Sequence, residues 1–283
     1  MKKFSKIAAF LLASAMMFTA AGCGQSSSAS SAAASAAGSE SASTAASTSV
    51  DKIKAAGFVT MSTNAEFEPF EFKDGDKIIG IDIDISNKIA EKLGVELKVN
   101  DIAFDALTTE LGSGKTNFVA AGMTADEDRK KNVDFSDTYF DASQAIIVLK
   151  GSAIKSPADL NGKKVGVQQG TTGDTYCTNE DGKNEIKVGS TERYAKGVDA
   201  VADLINGKID AVVIDDFPAK KFVEKNPDKI AKLEEALTTE QYAIAVPKGD
   251  KAMLDTVNSV LSELKSSGEL DKIVEKYKEN LGA

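Results

Sequence analysis

From Gly57 onward, apolar β-rich runs alternate with segments whose apolar residues recur at helical spacing, and the whole unit occurs twice. That alternation is the signature of strands joined by helical crossovers, and it restricts the chain to an α/β fold. Residues 80–85 read as a strand, Ile85, Ile89 and Leu93 as one helix face stopped by Gly94, and 95–99 as the next strand. A helix over 106–111 and strands over 117–121 and 144–149 follow. In the second unit, 157–160 start a short helix, 164–168 form a strand, 194–206 a helix and 209–214 a strand. A strand over 242–246 and amphipathic helices over 253–264 and 270–277 remain, too little to bury a core of their own. This tail is expected to return to the first unit. The expected architecture is therefore two lobes, 51–139 plus 243–283 and 145–237, with crossings at 140–144 and 238–242 acting as a two-segment hinge. A small ligand belongs in the cleft between such lobes.

The N-terminal residues set the compartment. Lys2, Lys3 and Lys6 precede an apolar run over 7–18, the layout of a secretory signal and well short of the roughly 20 residues a bilayer span needs. Ala21 and Gly22 then precede Cys23. Small residues before a cysteine resemble the lipobox of bacterial lipoproteins, in which the cysteine is diacylated and becomes the N-terminus. Ala20 departs from the leucine usual there. The resemblance implies a signal peptide over 1–22 and lipidation of Cys23. Residues 24–49 are mostly Ser and Ala with the single charge Glu40, a composition that buries too little apolar surface to order itself. We therefore read 23–50 as a lipid-anchored cysteine followed by a disordered linker.

Composition removes several function classes. The chain has no histidine, which excludes His-based triads, His-ligated zinc and an imidazole pH switch. It has two cysteines, too few for a four-cysteine metal site, and with Cys23 acylated Cys177 is left as a free, buried thiol. No metal or cofactor is expected. A formal charge of −9 repels phosphate backbones and anionic headgroups, so nucleic acid is not an expected partner and the membrane is met only through the lipid.

The motifs are specific as a set: Asn64-Ala65-Glu66-Phe67-Glu68-Pro69-Phe70-Glu71-Phe72, Gly80-Ile81-Asp82-Ile83-Asp84, Gly122-Met123-Thr124 and Arg129-Lys130-Lys131-Asn132-Val133-Asp134-Phe135-Ser136. Further along come 159–167, Gly170-Thr171-Thr172 and 207–211. In this order and spacing, over residues 51–281, the chain resembles the family 3 extracellular solute-binding proteins, the polar amino-acid receptors of ABC importers. The resemblance implies a two-lobed periplasmic-binding-protein type II fold and a monomer. Asn117 departs from the aspartate usual there, which the second lobe keeps at Asp210.

An amino acid presents a carboxylate, an ammonium and a side chain. Arg129, matching a family position, is the candidate carboxylate clamp, because its planar fork donates two parallel hydrogen bonds where a lysine cannot. Gly122 and Thr124 at a strand end offer backbone groups and a hydroxyl to the cleft floor. Gly170, Thr171 and Thr172 follow another strand, so their N–H groups and hydroxyls can meet the carboxylate from the second lobe. The lysine of a phosphate loop is missing there. Asp215, at the carboxyl end of a strand, is the candidate acceptor for the ammonium. Asp216 competes for that role, and the resemblance favours Asp215. Phe67 and Phe104, at family positions, are expected to wall the ligand's apolar stem. Asn64 and Gln168 suit a neutral polar side chain such as glutamine, while Glu66 either faces a cationic side chain or lies in solvent. Asp82 and Asp84 read as decoration on the polar face of an alternating strand.

The expected activity is binding rather than catalysis: the ligand docks on one lobe, recruits the other and presents a closed state to the importer's permease and its ATPase. Arginine, lysine or cystine binding is the alternative ligand class. The enzyme alternative is a dehydratase on the same fold with Glu66 as general acid, and a surface sensor is a third class.

Overall fold

The structure, a computed structural model, describes residues 47–179, 182 and 184–278. The expected signal segment 1–22, Cys23 and most of the linker lie outside the described residues. The first helix, α1 (Ser49–Ala56), reaches back into the stretch read as linker. Thr48 caps it through a reciprocal bond pair with Asp51, and Gly57 closes it in the left-handed conformation.

The chain then lays down β1 (Phe58–Thr63), a small three-stranded meander of β2 (Glu66–Phe67), β3 (Glu71–Asp74) and β4 (Lys77–Ile79), and α2 (Ile81–Leu93). β5 (Glu96–Asp101), α3 (Leu107–Gly112), β6 (Phe118–Val119) and β7 (Val133–Phe135) follow. β8 (Phe140–Ala142) leads into β9 (Gln144–Leu149), β10 (Lys164–Gln168), α4 (Thr172–Thr178), β11 (Ser190–Tyr194), α5 (Gly197–Ile205), β12 (Ala211–Asp215), α6 (Asp216–Lys225) and β13 (Ile230–Lys232). The chain returns through β14 (Glu240–Tyr242) to β15 (Ala245–Pro247), α7 (Lys251–Ser267) and α8 (Glu269–Lys278). No helix among the described residues is long and apolar enough to cross a membrane.

Two five-stranded sheets result, ordered β5-β1-β6-β15-β7 and β11-β10-β12-β9-β13. They share one plan. In each, four strands run the same way, and the fourth in order is antiparallel and has just arrived through a crossing: β15 pairs with β6 and β7, and β9 with β12 and β13. The crossings themselves pair, β8 antiparallel to β14. The two-lobed α/β expectation is met. The tail joins the first sheet, where Ile85 and Ile89 of α2 and Val257 and Leu261 of α7 are fully buried, each contributing about 1.5–3 kcal/mol.

Residues 80–85 are not a strand. The strand ends at Ile79, and Gly80 turns the chain at φ 138° so close to Phe70 that a Cβ would sit 2.1 Å from its carbonyl oxygen. The isoleucines of 81–89 thus serve a helix face rather than alternating across a sheet. Asp82 is consequently turned inward and wholly buried, and Asp84 pairs with Lys276 at 2.7 Å. Likewise 190–194 is a strand paired with β10, so the helix expected from 194 begins only at Gly197. The strand expected over 242–246 is two pieces, β14 in the crossing and β15 in the sheet.

Candidate functional site

Nine residues singled out from the sequence line one cavity: Phe67, Phe104, Gly122, Thr124, Arg129, Gln168, Thr171, Thr172 and Asp215. They come from strand ends and loops of both sheets, the crevice position expected in α/β architecture. The cavity is nearly shut. Its free volume for the centre of a water molecule is about 10 Å³, roughly the space one water needs. An amino acid enters only if the two halves part.

Arg129 opens a short 3-10 turn after β6. Its Nη1 donates to the Thr124 carbonyl at 2.8 Å and its Nη2 to the Gly170 carbonyl, on the loop after β10, at 3.0 Å. Nε lies 3.3 Å from Asp126, and the guanidinium sits over the Phe104 ring at 5.4 Å. Burial pulls the guanidinium below its ordinary value, while Asp126, Glu240 and Asp215 push back. It stays a cation aimed across the gap.

Asp215 ends β12 and occupies the cap position of α6, yet its side chain makes no cap hydrogen bond. It turns into the cavity, 6% exposed, and accepts a short hydrogen bond from the Tyr242 hydroxyl. Burial first and the charge of Glu240 second push its carboxyl up to about 7, against hydrogen bonds from Tyr242 and Gln144. Its competitor Asp216 points elsewhere, paired with Lys220 at 2.7 Å and Lys232 at 2.8 Å.

The floor glycine is constrained twice. Gly122 has φ 51°, and a Cβ there would come within 2.7 Å of the Phe67 ring. Its N–H donates to Asp82 Oδ2 at 2.8 Å, while the Tyr139 hydroxyl donates to Oδ1 at 2.7 Å. Behind Asp82 lies Glu71, wholly buried. Burial, then the Asp82 charge, holds the Glu71 carboxyl well above its ordinary value, and burial raises Asp82 itself to about 6. The buried acid at Asp82 thus anchors the floor rather than decorating a surface.

Two expected residues lie outside the cavity. Asn64 is 7% exposed, but its amide is spent: Nδ2 donates to the Ile102 carbonyl at 2.8 Å and Oδ1 accepts from Gln168 Nε2 at 2.9 Å. It reaches the cavity only through Gln168. Glu66 neither faces the cavity nor lies free in solvent, because it forms a close ion pair with Lys196 of the other sheet's unit. Thr171 caps α4 and donates to the Gln168 carbonyl at 2.8 Å. Cys177 is buried, and burial pushes its thiol up to about 12, which leaves it unreactive.

Three residues were not anticipated: Gln144, Tyr242 and above all Glu240, whose carboxylate accepts from the hydroxyls of Thr124 and Thr172. The signal available was their position in the expected crossings, where an acid in the run Thr238-Thr239-Glu240 has to be buried between two lobes. Glu240 also lines a groove of about 550 Å³ beside the cavity, together with Asp105, Asp126, Glu127 and Asp128.

The model of the bacterial extracellular solute-binding proteins, family 3, matches residues 59–280. The arginine-binding extracellular protein ArtP of Bacillus subtilis is 36% identical over 223 residues, which cover 77% of this chain and 84% of that protein. Among solved structures, a mutant of ArgBP from T. maritima matches with a TM-score of 0.75 at 45% identity, covering 81% of this chain and 99% of that one. An ancestral arginine-binding protein bound to glutamine matches with a TM-score of 0.71 at 42% identity, covering 78% and 97%.

Proposed function

The chain belongs to the bacterial extracellular solute-binding proteins of family 3, and from that premise we propose that it captures a polar L-amino acid outside the cytoplasm for the permease of an ABC importer. Its family is one of binding proteins rather than enzymes, which sets the dehydratase alternative aside. One observation carries the proposal: Arg129, from the loop after β6, and Asp215, from the end of β12, line the same cavity. A fixed cation and a buried carboxylate, one from each half, match the two charges of a zwitterion.

In this reading the Arg129 guanidinium leaves the carbonyls of Thr124 and Gly170 and takes the ligand's carboxylate, while Asp215 takes the ammonium. The strands β8 and β14 are the hinge about which the lobes, 51–139 plus 243–283 and 145–237, close. To swing an open-to-closed ratio from 1:99 to 99:1, the ligand must prefer the closed form by about 5.5 kcal/mol. Two desolvated charge pairs contributed by opposite lobes supply energy of that order. An acyl chain on Cys23 completes the reading by holding the receptor, as a monomer, at the outer face of the membrane.

The preferred side chain, in our proposal, ends in a planar nitrogen-bearing group, the amide of glutamine or the guanidinium of arginine. Gln168 at the cavity wall supports the amide. The cationic choice is supported by the name of ArtP, an arginine-binding protein. A thermal-shift screen of the twenty amino acids tests the proposal. At a hundred times Kd, a true ligand is expected to raise the Tm by about 5–10 °C. No shift with any of the twenty would contradict amino-acid binding, and a shift confined to acidic or aliphatic ones would contradict the side-chain preference.

A further inference from the structure

Glu240 is 9% exposed and sits on the crossing strand β14, between the two halves of the molecule. Its Oε2 accepts from Thr124 Oγ1 at 2.7 Å and from Thr172 Oγ1 at 2.8 Å, and its Oε1 accepts from Thr238 Oγ1 at 2.7 Å. Thr124 follows β6 of the first sheet, and Thr172 opens α4 behind β10 of the second. Both threonines line the cavity, whereas Glu240 stands outside its lining, behind them. We propose that Glu240 is a positioning residue that ties the two halves together and fixes both threonine hydroxyls as acceptors toward the ligand.

A hydroxyl carries one proton, and a carboxylate carries none to give, so each threonine must spend its proton on Glu240. What remains to face the cavity is lone pairs. Thr172 Oγ1 already receives Gln144 Nε2 at 3.1 Å, which leaves Thr124 Oγ1 as the less committed acceptor. Acceptors in the same cavity as Asp215 suit an ammonium and oppose a carboxylate. The hydroxyls therefore do not donate to the ligand's carboxylate, as the Gly-Thr-Thr motif alone had suggested, and that task falls to Arg129 and backbone N–H groups. Because Glu240 accepts from both lobes at once through one oxygen, the two acceptors are set only when the lobes meet. Selectivity for the ammonium is thereby tied to closure.

The inference rests on the amino-acid reading, and its test separates the two. Calorimetric titration of L-arginine and L-glutamine into wild type, Glu240→Gln, Thr172→Val and the double variant Thr124→Val/Thr172→Val with and without Glu240→Gln gives a complete cycle. An amide at 240 keeps the size but replaces the charged acceptor by a neutral one, and its NH2 must face either Thr238, whose hydroxyl then reverses, or the Thr124 and Thr172 pair, so in both orientations the two cavity hydroxyls are held less firmly as acceptors. Glu240→Gln is expected to weaken whichever probe binds wild type by about tenfold, with the circular dichroism of the unliganded chain unchanged. In the background lacking both hydroxyls, the same substitution is expected to cost no affinity, because there is nothing left for it to orient and loss of the Glu240 charge only favours the ionised Asp215. Should Glu240→Gln fail to fold, Thr172→Val alone still tests the proposal, since removing one tied acceptor is expected to weaken binding. Full affinity in Glu240→Gln or in Thr172→Val, or an equal loss from Glu240→Gln in both backgrounds, would overturn the assignment. A wild type that binds neither probe overturns the side-chain reading in Proposed function, and this inference with it.

Discussion

Arg129→Ala is expected to lose ligand affinity on the order of 10²–10³-fold in a calorimetric titration, the cost of leaving a desolvated carboxylate without its cation. The fold is expected to survive, because the guanidinium sits on a short turn at the cavity wall and its polar partners there, two backbone carbonyls and the partly exposed Asp126, can be served by water once it is gone. Circular dichroism of the variant should therefore match wild type. Arg129→Lys should recover little of the loss, since an ammonium cannot reproduce two parallel, coplanar hydrogen bonds. Affinity within about threefold of wild type in the alanine variant would remove Arg129 from the site.

The second large effect belongs to Asp215, where binding and stability should move in opposite directions. Its carboxyl is raised to about 7, chiefly by burial, against an ordinary value of 3.8. Between those values the folded chain holds a proton the unfolded chain has lost, so the contribution of Asp215 to stability is fully present below about 3.8 and falls as pH rises toward 7. The ligand's ammonium needs the ionised form, so affinity should instead fall as pH drops, by about 30-fold between pH 8 and pH 5.5. Asp215→Asn is expected to lose binding by about a hundredfold or more while the unliganded protein becomes more stable above pH 7, because a buried charge has been replaced by a neutral isostere. Denaturant titrations at pH 5 and pH 8 read the stability side. A variant that binds normally, or a wild type whose affinity is flat across this range, would contradict the assignment.

These expectations follow from residues that were legible before any coordinates. Gly122, the threonines and Asp215 lie at or just past strand ends, which in an α/β fold converge on the crevice, whereas Arg129, on a turn ten residues past β6, was legible only through the family resemblance. Asp82 was misread for a physical reason. Ile81-Asp82-Ile83-Asp84 alternates perfectly, but Ile81, Ile85 and Ile89 also recur at helical spacing, and the two periods cannot be separated in so short a run. Only Gly80, pressed against the Phe70 carbonyl, decides for the helix. Glu66 and Asn64 belong to the meander side of the cleft, and their partners Lys196 and Gln168 lie more than a hundred residues away in sequence. Nothing local announces such pairs. For Glu240 only its place in the expected crossing was a signal, and its role was not, since its three threonine partners come from both lobes and the crossing itself.

The claim on which the account depends is that opposite charges on opposite lobes recognise a zwitterion. It is tested most directly by calorimetric comparison of the amino acid giving the largest thermal shift with two analogues of the same side chain, one lacking the carboxylate and one lacking the ammonium. Each deletion strands one buried charge, Arg129 or Asp215, so both analogues are expected to bind about a hundredfold more weakly or worse than the parent. An analogue that binds as tightly as the parent would show that the missing group had no partner in the cavity, and the account would fail.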